Sequence, residues 1–181
     1  MKSDDLFLFG ALPESVIQIG YLVEDIDQAM MSFTAKLNIG PWHKFRISGL
    51  RPQSLYKGEP TAYDISIALT FQGTMMFELV QQHDAGASVF HDAVARRGYG
   101  LHHWGIGTRR FEERLAEEVA KGATPPFTSI TGRGARIAYM EGPSPLYGMM
   151  ELIEVTPENE RFYASLAQRS SDWDGQTLVT P

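Results

Sequence analysis

Two stretches of this chain repeat each other in the same order, and each copy sets polar residues at equivalent places in otherwise apolar segments. Gln18-Ile19-Gly20-Tyr21-Leu22 is matched by His103-Trp104-Gly105-Ile106-Gly107, and Met76-Phe77-Glu78-Leu79-Val80 by Met149-Met150-Glu151-Leu152-Ile153. The interval between copies is longer for the first pair than for the second, so the halves share a plan but not their loop lengths. Each copy is too short to bury a core alone, whereas 181 residues that are 43% hydrophobic suffice for one. The repeat therefore predicts one pseudo-symmetric domain. If its halves face each other, Gln18, Glu78, His103 and Glu151 form the donor set that a single divalent ion needs.

The segments between these anchors follow one grammar twice. Residues 15–23 read as a strand, and Asp25 or Asp27 can cap a helix running to about Leu37, with Ala29, Met30, Phe33 and Leu37 on one face and Asn38 and Gly40 as stops. Strand character resumes at 42–47, the connection 48–60 has no assigned shape, and 63–71 with 74–81 form a hairpin across Gln72-Gly73. A linking helix is expected at 87–97. The second copy then gives a strand at 101–107, a helix at about 110–121 ended by Gly122, and strands near Phe127, at 135–140 beyond the Gly132-Arg133-Gly134 turn, and at 149–155 beyond the loop 142–148. The fold class is α+β: two βαβββ modules, at about 15–81 and 101–156, pair into a curved mixed sheet around a central cavity. A short helix at 158–168 and a poorly ordered tail complete the 157–181 segment.

Composition excludes several partners. Sixteen basic and twenty-two acidic residues give a net charge of −6 with no basic stripe, which disfavours nucleic acid and anionic membranes. The absence of cysteine removes disulfides, thiolate metal sites and a cysteine nucleophile, so any chemistry must come from oxygen and nitrogen groups. The acidic start and the short apolar run 6–12 lack the form of a signal peptide, and no stretch approaches the ~20 apolar residues of a membrane helix. A cytoplasmic protein acting on a small-molecule substrate is expected.

Side chains alternate along a strand, so the residues sharing a face with the four polar anchors can be read directly. They are Leu22, Met76, Val80, Gly105, Met149 and Ile153, together with Gly20 and Gly107: an apolar pocket wall with polar groups at its floor and glycines leaving room for a ligand. Two carboxylates in equivalent apolar strands call for a cation or strong donors. Gln18, Glu78, His103 and Glu151 suit one divalent metal ion, Zn, Ni, Co, Mn or Fe(II), among which spacing does not choose. His102, next to His103, is expected on the opposite face in a packing role.

The paired βαβββ pattern, the Glu-Leu strand endings and the central Gly100-Leu101-His102-His103-Trp104-Gly105-Ile106 resemble the vicinal oxygen chelate superfamily of glyoxalase I, methylmalonyl-CoA epimerase and extradiol dioxygenases, over about 15–156. The resemblance implies metal ligands at Gln18, Glu78, His103 and Glu151, the set found in zinc-type glyoxalase I. It argues against a dioxygenase, which needs two histidines and one carboxylate. The arginine with which glyoxalase I grips glutathione is replaced here by Leu22. The resemblance thus implies a metal-dependent isomerase or lyase of the glyoxalase/epimerase type, abstracting a proton next to a carbonyl through a metal-stabilised enolate, on an apolar or thioester substrate. Glu151 is the expected base, Glu78 the symmetric alternative, and Glu59 a candidate second base; family members often act as homodimers. The alternatives are a metal-free protein that sequesters small molecules and an extradiol-type dioxygenase. A polyanionic substrate would have to be gripped by Lys44, Arg46, Arg51, Arg133 or Arg136 in the flanking segments.

Overall fold

The computed structural model describes residues 5–141 and 147–180, with Arg51 and Pro52 described in their backbone alone. Most of the loop expected at 142–148 lies outside the described residues. The first module comprises β1 (Val16–Leu22), α1 (Ile26–Leu37), β2 (Trp42–Tyr56), β3 (Glu59–Gln72) and β4 (Met75–Gln82). After α2 (Val89–Arg97) come β5 (Gly100–Thr108), α3 (Phe111–Ala120), β6 (Thr124–Ile130), β7 (Arg136–Glu141) and β8 (Met149–Glu154), followed by α4 (Pro157–Ser171) and a two-residue β9 (Val179–Thr180). No described helix is long and apolar enough to cross a membrane.

The strands run in the order β3-β4-β1-β5-β8-β7-β6-β2, and β2 also pairs with β3, which closes the sheet into a barrel. The modules join in two places. One is the antiparallel β1–β5 pair. The other is a short β2–β6 contact, Leu55 opposite Thr128 and Tyr56 opposite Phe127, where the buried Ser54 hydroxyl lies 2.7 Å from that of Ser129. Closure removes the sheet edges that two open modules would leave.

Strand alternation sorts the apolar residues between the two faces of this barrel. Phe77 and Leu79 of β4 point outward, where Ile26 and Met30 of α1 cover them together with Trp42 and Ala68. Met150 and Leu152 of β8 point outward beneath Phe111 and Leu115 of α3. The intervening residues point inward: Met76 and Ile153 into one interior cluster, Val80 and Met149 into the other.

Sequence reading assigns 48–60 no shape and 6–12 no structural role, and it expects a loose tail; all three are built into the fold. The stretch 48–60 is not a loop: β2 continues to Tyr56, turns tightly at Lys57-Gly58, both at positive φ, and returns as β3. Pro52 falls in the register break between Arg51 and Leu55, where a missing N–H costs the ladder nothing. The run 6–12 is structural, since Phe7 and Phe9 are buried and stack 5.3 Å apart, and Phe9 packs on Phe71 and on Tyr163 of α4. The tail is ordered rather than loose: Asp174 accepts hydrogen bonds from the backbone N–H groups of Gln176 and Thr177, the Trp42 backbone N–H donates to Leu178 O at 2.8 Å, and β9 pairs with β2.

Candidate metal centre

The register of the β1–β5 pair sets the site. Gln18 lies opposite Gly105 and Gly20 opposite His103, so each polar side chain of one copy lies over the glycine of the other. A Cβ on Gly20 would fall 1.9 Å from His103 Cε1, and one on Gly105 would meet Gln18 Oε1 at 2.7 Å. The glycines therefore make room for His103 and Gln18, not for a ligand as the pocket reading of Gly105 supposed. On the outer side of each leading strand the parallel partners repeat this symmetry, with Gly20 beside Glu78 and Gly105 beside Glu151.

His103 Nε2 is the focus of the cluster. Gln18 Oε1 lies 3.3 Å from it, Glu78 Oε2 3.2 Å and Glu151 Oε2 3.1 Å, and all four side chains are buried. Donor atoms of Glu78, His103 and Glu151 lie within 4.8 Å of one another. A single N–H cannot serve three oxygens. Both carboxylate Oε2 atoms, although within ion-pair distance of the imidazole, are buried without an aligned hydrogen bond. Two orphaned carboxyl oxygens, an amide oxygen and an imidazole nitrogen converging in an apolar interior form a donor set that fits a divalent cation. Which cation is not fixed by these atoms.

The ionisation states reflect the same crowding. Burial pushes Glu151 up to about 8, with Glu78 adding to the shift and His103 and a hydrogen bond from Tyr139 opposing it. Burial alone would lower the pKa of His103, but Glu151 and Glu78 outweigh it and raise the group above its ordinary value. Tyr139, the cross-strand partner of Glu151, is held well above the usual phenol range by burial and by the two carboxylates, so its hydroxyl remains a donor.

His102 is not on the opposite face. The β1–β5 register slips between Gly20 and Tyr21, so His102 is the extra residue of a bulge and turns inward beside its neighbour. Its ring is fully buried between Phe90 and Tyr139, with Nδ1 2.9 Å from His103 Nδ1. Burial, together with the neighbouring His103, holds His102 well below its ordinary pKa and hence neutral. A neutral His102 accepts the Nδ1 proton of His103, which fixes that ring with Nε2 aimed at the carboxylates. His102→Phe keeps the packing and removes the acceptor. Its affinity for Zn, measured by competition with a chelator, should fall about 10–100-fold; an unchanged affinity would show that packing alone holds His103.

Three of the polar anchors, Gln18, Glu78 and Glu151, line a cavity of about 300 Å³, and His103, in contact with all three, is buried behind that lining. Val80 and Ile153 line it, whereas Leu22, Met76 and Met149 are buried in the packed clusters and do not. Its walls include Phe45, Ile67, Phe127 and Ile137, and α4 contributes Asn159, Phe162 and Tyr163. Glu59 is exposed at the start of β3 and lines no part of the cavity, so it is not a second base there. Tyr139, His102 and the α4 residues escaped the sequence reading. Alternation along β7 from Ile137 would have found Tyr139, but a bulge and a helix docked from outside the repeat leave no periodic signal.

Comparison with known proteins agrees with this geometry. Residues 17–139 match the family model described as the glyoxalase/bleomycin resistance protein/dioxygenase superfamily. The chain belongs to this superfamily, the vicinal oxygen chelate group. No curated protein sequence matches. Among solved structures, a hypothetical protein from Bacillus halodurans C-125 is 21% identical with a TM-score of 0.57, over 78% of this chain and 94% of that one. Methylmalonyl-CoA epimerase from Mycobacterium tuberculosis is 16% identical with a TM-score of 0.57, over 79% and 89%. A variant of the Streptomyces coelicolor methylmalonyl-CoA epimerase, in complex with 2-nitronate-propionyl-CoA, is 16% identical with a TM-score of 0.56, over 80% and 96%. At these identities the likeness establishes the vicinal oxygen chelate fold, and the chemistry has to be argued from the buried cluster.

Proposed function

We propose that this protein is a metal-dependent isomerase or lyase of the glyoxalase/epimerase type, removing a proton from carbon next to a carbonyl in an apolar or thioester substrate. The observation that carries the reading is the pair of orphaned carboxyl oxygens, on Glu78 and Glu151, which face one buried imidazole while the two side chains line an apolar cavity. Sequestering a neutral ligand gives no reason to bury two such oxygens. A divalent ion held by Gln18, Glu78, His103 and Glu151 would supply Lewis-acid stabilisation of negative charge developing on a carbonyl oxygen.

The chain's own residues supply the proton transfer. Glu151, cross-strand from Tyr139, is the base that takes the carbon-bound proton and returns it, and Glu78 is its counterpart in the other module. The apolar walls keep bulk water from the carbanion between the two transfers. The fold shared with methylmalonyl-CoA epimerases supports the proposal by analogy.

The test is the metal content of protein purified without chelator or nickel affinity, beside a Glu151→Ala variant, followed by NMR detection of deuterium exchange at carbon next to carbonyl groups. About one transition metal per chain in the parent, with a reduced content in the variant, is expected. A parent that takes up none of Zn, Ni, Co, Mn or Fe(II) on reconstitution would leave a ligand-binding protein as the better account.

A further inference from the structure

The flanking cations differ in what already holds them. Arg46 is engaged by Asp64 through two hydrogen bonds, the Nε one at 2.7 Å. Lys44 pairs with Asp27 at 2.6 Å. Arg136 is held by both carboxylate oxygens of Glu154, and by Glu112 as well. The side chain of Arg51 lies outside the described residues. Arg133 differs from all of these: among the described residues it has no acidic partner, and it lines the cavity.

Its position is built. Gly132-Arg133-Gly134 forms the β6–β7 turn, closed by Thr131 N–H donating to Ala135 O at 2.8 Å and Gly134 N–H to Thr131 O at 3.0 Å, with Gly134 at the positive φ that the turn requires. The guanidinium carbon sits 3.6 Å from the centre of the Phe162 ring, which itself lines the cavity. Stacking on an aromatic face leaves the N–H edges of a guanidinium free, and those edges match a carboxylate in a two-point fork.

We infer that Arg133 is the anchor for one carboxylate on the substrate, so that the site takes small apolar monoanions, with the reacting carbonyl at the floor and the carboxylate at the mouth. The inference narrows the substrate class of the reading above and rests on it for the placement of the reacting carbon. With Arg46 neutralised by Asp64, the described mouth offers one uncompensated positive charge, too few for the several phosphates of a coenzyme A thioester. A cavity of about 300 Å³ lies at the small end of ligand pockets.

The probes are 3-phenylpropionate and its uncharged isostere 3-phenylpropionamide. Binding is measured by calorimetry to the parent, Arg133→Met and Arg133→Lys, each metal-free and Zn-loaded. Arg133 is exposed on a turn, so both variants are expected to fold, and melting curves verify this. The parent should prefer the acid by about tenfold or more with or without Zn; Arg133→Met should lose the preference, and Arg133→Lys should keep part of it. Equal affinity for acid and amide, or a preference that survives in Arg133→Met, would overturn the anchor. So would a preference that appears only with Zn, because the carboxylate would then be seated at the floor. If the protein takes up no metal yet shows the Arg133-dependent preference, the anchor stands and the catalytic reading falls.

Discussion

Gly20→Ala should expel His103 from the centre and abolish metal retention. The added methyl would lie 1.9 Å from His103 Cε1, 2.3 Å from Nε2 and 2.5 Å from Nδ1, far inside any tolerable contact. That ring has nowhere to go, being fully buried against His102 and Tyr139. Overpacking of this kind typically costs about 1–3 kcal/mol, which for a chain of this size lowers Tm by roughly 2–4 °C per kcal/mol. Losing the imidazole should weaken Zn binding by about 100-fold or more. Gly132→Ala meets nothing within 4 Å and serves as the neutral control. Gly105→Ala should be milder than Gly20→Ala, because two of its three nearest contacts, Gln18 Oε1 and Ile153 Cδ1, are ends of flexible side chains. Thermal melts and metal analysis of the three variants check the order; an intact metal content in Gly20→Ala would mean that Gly20 does not face His103 across the β1–β5 pair.

The glycines also show how much of the site the sequence could carry. The Gln-x-Gly and His-x-Gly repeats are legible as equivalent positions, and antiparallel pairing about a pseudo-twofold makes each polar side chain face the other copy's glycine. What could not be read is the function of that space, because strand alternation gives the face a residue occupies and not what fills it. The same limit explains Leu22, Met76 and Met149: they lie on the inner face as alternation requires, but neighbouring strands and helices pack over them before the cavity begins. His102 escaped because a bulge breaks the two-residue period, and nothing in Leu101-His102-His103 marks which residue is the extra one.

The fold was legible where period and punctuation agreed. Asp25 caps α1 by accepting from the N–H groups of Asp27 and Gln28, and Asn38 ends that helix in the left-handed region, as their residue types suggest. The segment 48–60 was obscure because Gly49, Pro52, Gly58 and Pro60 all read as loop residues, yet the long β2–β3 ribbon pairs Gly49 with Tyr63 and Pro60 with Leu55, turns at Gly58 and takes up Pro52 in a register break. The N-terminal run and α4 lie outside the repeat, so symmetry could not place them. They pack on each other through Phe9 and Tyr163, in the same buried cluster as Met76 and Ile153 of the repeat.

Glu151→Gln should leave the metal-free protein folded but remove much of its pH dependence, and should cost the loaded enzyme about 10²–10⁴-fold in rate. In the metal-free form burial raises Glu151 from an ordinary 4.5 to about 8, so between those values the folded state holds a proton that the unfolded state has released. A folded pKa above the unfolded one contributes stability that is fully present below about 4.5 and is lost as pH rises through about 8. His103, also raised, contributes with the same sign, so the variant's slope should be reduced and not flat. Glutamine copies the shape of the neutral acid and cannot ionise, which is why the low-pH stability should survive the substitution. Zn reverses the trend in the parent. Binding must displace these protons, so affinity should climb with pH, by up to about tenfold per unit for each proton released, and level off near 8. Melting temperatures from pH 5 to 9, with EDTA and with Zn, separate the cases: parent curves that diverge with pH and variant curves that stay close are expected. A variant retaining the parent's full slope in EDTA would show that Glu151 is ionised in the metal-free protein, leaving its burial beside Glu78 to be explained by some other donor.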